Sequence, residues 1–176
     1  MWAGIDYSLS SPAICISTTE ECAFKDCKFF YLTSKKKYEG TWTNIYGDLH
    51  KEWKTPEERY HNISSWAMRI LRHEYDVISI EDYSMGSRGR VFHIGENAGI
   101  LKYRLWKNKH HIQTISPSEV KKFATGKGNA DKQMMYDSFY NEHKYDIRTV
   151  LGQDTLDSPI TDIVDAYYVC KTGINI

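Results

Sequence analysis

Short apolar runs broken by polar turns open the chain. Residues 2–8 (Trp-Ala-Gly-Ile-Asp-Tyr-Ser) and 12–19 (Pro-Ala-Ile-Cys-Ile-Ser-Thr-Thr) have strand length and are separated by a turn at 9–11, which predicts two paired strands. A run rich in Phe and Tyr over about 23–32 predicts a third, and the short connections predict an antiparallel meander. Residues 33–54 carry three consecutive lysines (35–37), two glycines, Trp42 and Trp53 with no clear period. They read as a loop or insertion.

The period then changes. Thr55-Pro56-Glu57-Glu58 places a capping hydroxyl, a proline at the first helical position and acids in the first turn, which is helix-start chemistry. Ile63, Trp66, Ala67, Ile70 and Leu71 recur on one helical face, and the helix is expected to end near Tyr75. Residues 77–80 (Val-Ile-Ser-Ile) form a short buried strand that Glu81 closes. Residues 84–90, with two glycines and two arginines, are a loop. A helix is predicted over 92–108 from Ile94, Ala98, Leu101 and Leu105, and a strand over 111–115. Ser116-Pro117-Ser118-Glu119 repeats the helix start, and Gly126-Lys127-Gly128-Asn129 ends that helix. Another helix follows over 130–143, a polar connection over 144–157, and a last helix from Ser158-Pro159 to about Lys171. Three strands, helix, strand, helix, strand and helices describe a mixed α/β sheet with an antiparallel start and parallel later strands. Its 176 residues suit a single domain.

Composition narrows the class. Hydrophobic residues make up 41% of the chain, enough for a core, and no stretch approaches the roughly 20 apolar residues of a membrane span. The start, Met-Trp-Ala-Gly-Ile-Asp, lacks a signal-peptide pattern. Cys15, Cys22, Cys27 and Cys170 form no CxxC pair and no zinc spacing with histidine; Cys15 and Cys170 lie in apolar runs and read as buried free thiols. A reduced, cytoplasmic setting is expected. Net charge is zero, but residues 83–132 hold ten Lys/Arg against three acids, so the remainder carries a balancing excess of seven negative charges. Such asymmetry points to a basic surface for a polyanion, with solvated helix faces as the plainer explanation. Arg88, Arg90, Lys121, Lys122 and Lys127 are the candidate phosphate contacts.

Four acids stand out against this pattern. Asp6 lies in an apolar strand, Glu81 closes another, and Asp162 and Asp165 are three apart on the last helix and share a face. Strand ends are where open α/β sheets bind ligands. Carboxylates that converge repel one another and resist desolvation unless a cation compensates them. A cluster of these four would bind Mg²⁺ or Mn²⁺, and the matching chemistry is phosphodiester hydrolysis. The plainer alternatives are a turn bond from Asp6, an exposed Glu81 and a helix-dipole role for Asp162.

These residues resemble a known family. Gly4-Ile5-Asp6-Tyr7-Ser8, Ile80-Glu81 and Asp162-Ile163-Val164-Asp165-Ala166 look like the ribonuclease H-like nuclease pattern, with the RuvC-type Holliday-junction resolvases the nearest likeness. The segment Pro117-Ser-Glu-Val-Lys121-Lys-Phe-Ala-Thr-Gly126-Lys-Gly128-Asn-Ala130-Asp-Lys132 is similar to that family's Pro, Val-Lys and Gly-x-Gly-x-Ala-x-Lys segment. The resemblance runs from Asp6 to Asp165 in the family's order. It implies a ribonuclease H-like mixed sheet and a structure-selective endodeoxyribonuclease. Asp6, Glu81, Asp162 and Asp165 would bind two Mg²⁺ or Mn²⁺ ions, with no small-molecule cofactor. Lys121 and Lys132 would contact the phosphates of the cleaved strand, Lys132 stabilising the transition state. The product would be a nick with 5′-phosphate and 3′-hydroxyl.

The implied partner is branched DNA. A four-way junction has two symmetric cleavage points, so a homodimer is expected, and Ile94, Ile100, Leu101, Leu105 and Trp106 supply apolar surface for core and partner. Tyr83 and Phe92 are candidates to stack on unpaired bases. Two features depart from the bacterial pattern. Tyr7-Ser-Leu-Ser-Ser replaces a Pro-Gly-rich turn, and the loop after Glu81 lacks an aligned aromatic wedge, Tyr83 being near it. These departures, with the 33–54 segment, suggest a divergent, viral member. Three alternatives stay open. One is a ribonuclease H or a flap or fork nuclease of the same fold; another is an actin-like phosphotransferase; the third is a non-catalytic DNA-binding module.

Overall fold

The apolar runs fold as strands β1 (Trp2–Asp6), β2 (Ala13–Ser17) and β3 (Cys27–Thr33). In the computed structural model, which describes residues 1–83 and 91–176, they pair as the expected antiparallel meander. Next come β4 (Gly40–Trp42), β5 (Ile45–Leu49), α1 (Pro56–Ile70), β6 (Val77–Glu81), α2 (Val91–Lys107) and β7 (Ile112–Ile115). The chain closes with α3 (Pro117–Thr125), α4 (Lys132–His143), α5 (Ile147–Leu151) and α6 (Ile160–Ile174). The sheet order is β4-β5-β3-β2-β1-β6-β7, with β1–β6, β6–β7 and β3–β5 parallel.

The segment expected to be a loop or insertion at 33–54 instead supplies the edge strand β4 and its neighbour β5. The inward position that would reveal a strand period is a glycine. A Cβ on Gly47 would overlap the Tyr38 carbonyl and meet the Tyr31 ring, and the buried Tyr31 hydroxyl donates to that same carbonyl at 2.7 Å. The strand therefore tolerates no side chain where periodicity calls for an apolar one. The 144–157 connection likewise contains α5, capped by Asp146, which accepts from the Arg148 N–H at 3.0 Å. Its five residues bury only Ile147 and Leu151, too few to register as a period. The first helix stops at Ile70, short of Tyr75, because the chain must turn so that the Asp76 N–H can meet the Met1 carbonyl, 2.8 Å away. That turn sets β6 beside β1.

Helix starts follow their sequence signals. Thr55 Oγ1 accepts from the Glu58 N–H, and Ser116 with Glu119 forms a capping box. Side chains alternate across the sheet. Ala3, Ile5, Ile14, Ile16, Ile78 and Ile80 pack with α1 and α2 on one face. Ala13, Cys15, Phe29 and Tyr31 pack with α4 and α6 on the other. The same alternation turns Asp6 and Glu81 toward the α6 face, because Ile5 and Ile80 point away from it.

Candidate active site

Two close approaches seat α6 on the sheet. At Gly4 a Cβ would overlap the Cys170 amide and lie 2.5 Å from the Ala166 carbonyl oxygen, so the helix backbone rests directly on β1. At Gly173 a Cβ would overlap Ser79 Oγ on β6, while Gln113 on β7 donates to the Gly173 carbonyl and to Ser79 Oγ, each at 2.8 Å. Helix position is thus fixed by backbone contact, and its two aspartates, one turn apart, stand at the ends of β1 and β6.

The four acids are neighbours there, close enough to act on one another electrostatically. Asp6 and Glu81 end neighbouring parallel strands, and Asp165 acts electrostatically on both. Burial pushes the Asp6 carboxyl well above the usual range, and Asp165, Glu81 and Asp162 add to the shift in that order. Glu81 is pushed up to about 7, first by burial and then by Asp165, against the pull of Lys121. Asp165 is pushed up to about 6 by burial and by Asp162, with Lys121 and Lys132 opposing. Burial also raises Asp162, which the hydroxyls of Ser158 and Ser11 and the charge of Lys132 counter. Its Oδ2 is buried without a hydrogen-bond partner among the described residues. Like charges held together with an unpaired buried oxygen are the signature of a site that expects a cation.

Asp6, Glu81, Asp165 and Lys121 share the wall of a cleft of about 710 Å³, while Asp162 is buried behind it. The donors, spread over two strand ends and one helix, are all hard oxygens, the type that Mg²⁺ and Mn²⁺ take, although no three of these carboxylates lie within 4.8 Å of one another. Lys132 is the first residue of α4 and is exposed at its N-terminus, where free backbone N–H groups favour phosphate. Lys122 on α3 and Lys127 after it are exposed outside the cleft wall. Tyr83 lies at the cleft, its ring 5.9 Å from Lys102 Nζ. Phe92 is 80% exposed, which excludes a core role. Arg88 and Arg90 fall outside the described residues.

Some cleft residues escaped the sequence reading. The Arg59 guanidinium stacks over Trp53 at 4.4 Å and donates to the Leu9 carbonyl at 2.8 Å, and both side chains line the cleft. Tyr60 and His93 also line it, the Tyr60 hydroxyl 2.6 Å from His93 Nδ1. Trp53 sits in the 33–54 segment, which has no clear period, and Arg59 lies outside the basic stretch. Their signal was the contact of α1 with the turn after β1, which is tertiary.

This architecture is the ribonuclease H-like fold of the RuvC resolvases. The chain is similar to Thermus thermophilus RuvC (TM-score 0.60, 16% identity, 97% of this chain and 90% of that one). It is also similar to T. thermophilus RuvC in complex with a Holliday junction substrate (TM-score 0.62, 15% identity, 97% and 90%). The yeast mitochondrial Holliday junction resolvase Ydc2 is similar too (TM-score 0.59, 12% identity, 98% and 76%). No protein-family model and no curated protein sequence matches the chain, so the likeness is one of fold.

Proposed function

We propose that this protein is a metal-dependent endonuclease that resolves four-way or otherwise branched DNA by hydrolysing a phosphodiester, leaving 5′-phosphate and 3′-hydroxyl nicks. The convergence of Asp6, Glu81, Asp162 and Asp165 beside two lysines carries this reading. The RuvC fold, solved in one neighbour with a junction substrate, supports it.

Asp6, Glu81, Asp162 and Asp165 would hold two divalent ions. Bound there, Mg²⁺ or Mn²⁺ supplies the Lewis acidity that activates water and steadies the departing 3′ oxygen. Asp6 and Glu81, fixed at strand ends, hold the reacting phosphate's side of the cleft in one geometry. Lys121 brings positive charge to Glu81 and Asp165, and Lys132 brings it to Asp162 and Asp165. Both also offset the negative charge of the scissile phosphate, Lys132 through its transition state. Lys122 and Lys127 extend the positive surface along the backbone, and Tyr83 offers a face to an unpaired base.

Two symmetric cuts call for two copies of the site. Phe92, Tyr103 and Trp106, 80%, 58% and 69% exposed, fall along one side of α2. An aromatic stripe of this kind suits a second copy of the chain. Sedimentation of the wild type beside Trp106→Lys tests the dimer.

Nicking assays on a mobile four-way junction, a flap and an RNA–DNA hybrid, with Mg²⁺ or Mn²⁺ and with Asp6→Asn as control, decide the function. Metal-dependent paired nicks on the junction are expected. Preference for the flap or the hybrid would reassign the substrate, and binding without cleavage would leave a DNA-binding module.

A further inference from the structure

Three thiols meet in the core, and a fourth lies beside them. The chain has four cysteines, and all of them gather on the α6 face of the sheet. They come from separate places: Cys15 in β2, Cys22 in the β2–β3 connection, Cys27 at the first position of β3, and Cys170 on α6. Each is at most 1% exposed. The sulfurs of Cys15, Cys22 and Cys27 all lie within 4.8 Å of one another, and those of Cys22 and Cys27 are 3.6 Å apart. Cys170 lies beside this trio rather than within it, its thiol acting on those of Cys15 and Cys22, and it would have to swing in to serve as a fourth ligand.

We propose that Cys15, Cys22, Cys27 and Cys170 bind one Zn²⁺ in a closed, structural four-thiolate site that ties the β2–β3 connection to α6. A Zn–S distance of about 2.3 Å puts tetrahedral sulfurs about 3.8 Å apart, close to the Cys22–Cys27 separation. A disulfide would require sulfurs at about 2.05 Å and would leave two thiols behind. Isolated buried cysteines behave as small hydrophobes, which does not explain why three thiols come together with the fourth beside them.

Two local features support the site. Cys22 has φ of +53°, a left-handed backbone that costs energy for a residue with a side chain and is retained where something fixes it. Four thiolates around Zn²⁺ carry net negative charge. The His143 side chain, 6% exposed, lies 3.5 Å from Glu142 Oε1; burial lowers its pKa while negative charge at Glu142 and Cys22 pulls the other way, so thiolates around Zn²⁺ would favour its protonation. Burial on all sides leaves no open coordination position, which separates a structural zinc from a catalytic one.

The sulfur donors are soft and the carboxylates of the cleft are hard, so the two sites select different metals. The proposal is independent of the nuclease reading. The test is elemental analysis of the wild-type protein after EDTA washing, together with thiol titration and Co²⁺ substitution. One zinc per chain is expected, with thiols unreactive until denaturation and tetrahedral thiolate–cobalt absorption after exchange. Asp6→Asn should keep its zinc, and Cys22→Ser/Cys27→Ser should lose it. Metal-free wild type with four titratable thiols overturns the proposal, and so does a non-reduced mass lower by two hydrogens. Should the double variant fail to fold, the wild-type metal content and cobalt spectrum still decide.

Discussion

Helix α6 carries two clusters of ionisable side chains, and they obey opposite rules. Toward its N-terminus, Asp162 and Asp165 join Asp6 and Glu81 in a group that opens on a cleft. Further along, Cys170 joins three thiols sealed in the core. The acids are hard donors at strand ends, with lysines at hand and room for a substrate. The thiols are soft donors with no exposed side. A site that must exchange water and phosphate keeps a wall open, whereas one that only holds elements together closes. One rigid helix, seated by Gly4 and Gly173, serves both.

The largest effect should come from the open end. Asp6→Asn or Glu81→Gln should lower junction nicking by at least about 100-fold, since even outer partners of metal ligands cost 10–100-fold. Gel-shift affinity for the junction should change little. A variant that cuts at near-normal rate would remove Asp6 or Glu81 from the machinery.

Gly4→Ala strikes the shared support. Its methyl must displace the α6 backbone, so a stability loss of about 1–3 kcal/mol or more is expected in urea unfolding, with nicking reduced as well. Retention of full activity and stability would mean that the helix seat is softer than the backbone contact implies.

The third test is electrostatic. Glu81 and Asp165 are raised to about 7 and about 6, and Asp6 is raised too. The folded chain therefore holds more protons than the unfolded chain between about pH 4 and 7. That contribution to stability is full below the unfolded values and is lost as pH rises through the folded ones. In chelator, the acid cluster should make the wild type less stable at pH 8 than at pH 5. Asp165→Asn should melt higher than wild type at pH 8 and gain nothing near pH 4, the difference amounting to about 1–3 kcal/mol. Added Mg²⁺ should stabilise the wild type most at high pH. A flat profile would mean that the carboxyls are neither desolvated nor repelling one another.

The smallest effect belongs to the surface. Lys122→Met and Lys127→Met should each reduce the slope of log affinity against log salt by about 0.9, with low-salt nicking nearly unchanged. An unaltered slope would take these lysines off the DNA path.

Much of this was legible in the chain. β1, β6 and the helix starts at Thr55 and Ser116 announce themselves through local chemistry: alternating or unbroken apolar runs, and capping hydroxyls beside proline and acids. The acids Asp6, Glu81, Asp162 and Asp165 could be named because each interrupts an apolar pattern. β5 was hidden because Gly47 makes room for the Tyr31 ring and the Tyr38 carbonyl. The cysteines could not be grouped, because their spacing of 7, 5 and 143 residues matches no local motif.

The sequence by itself determined the element types outside β4, β5 and α5, the acids that break the apolar pattern and the shared face of Asp162 and Asp165 on the last helix, all of which follow from neighbours a few residues away. Only the tertiary structure decided that β6 lies beside β1, that Arg59 and Trp53 stack at the cleft, and that three thiols gather beside Cys170 of α6. Those arrangements depend on how α6 rests against the sheet, and a contact between distant segments leaves no period in either of them.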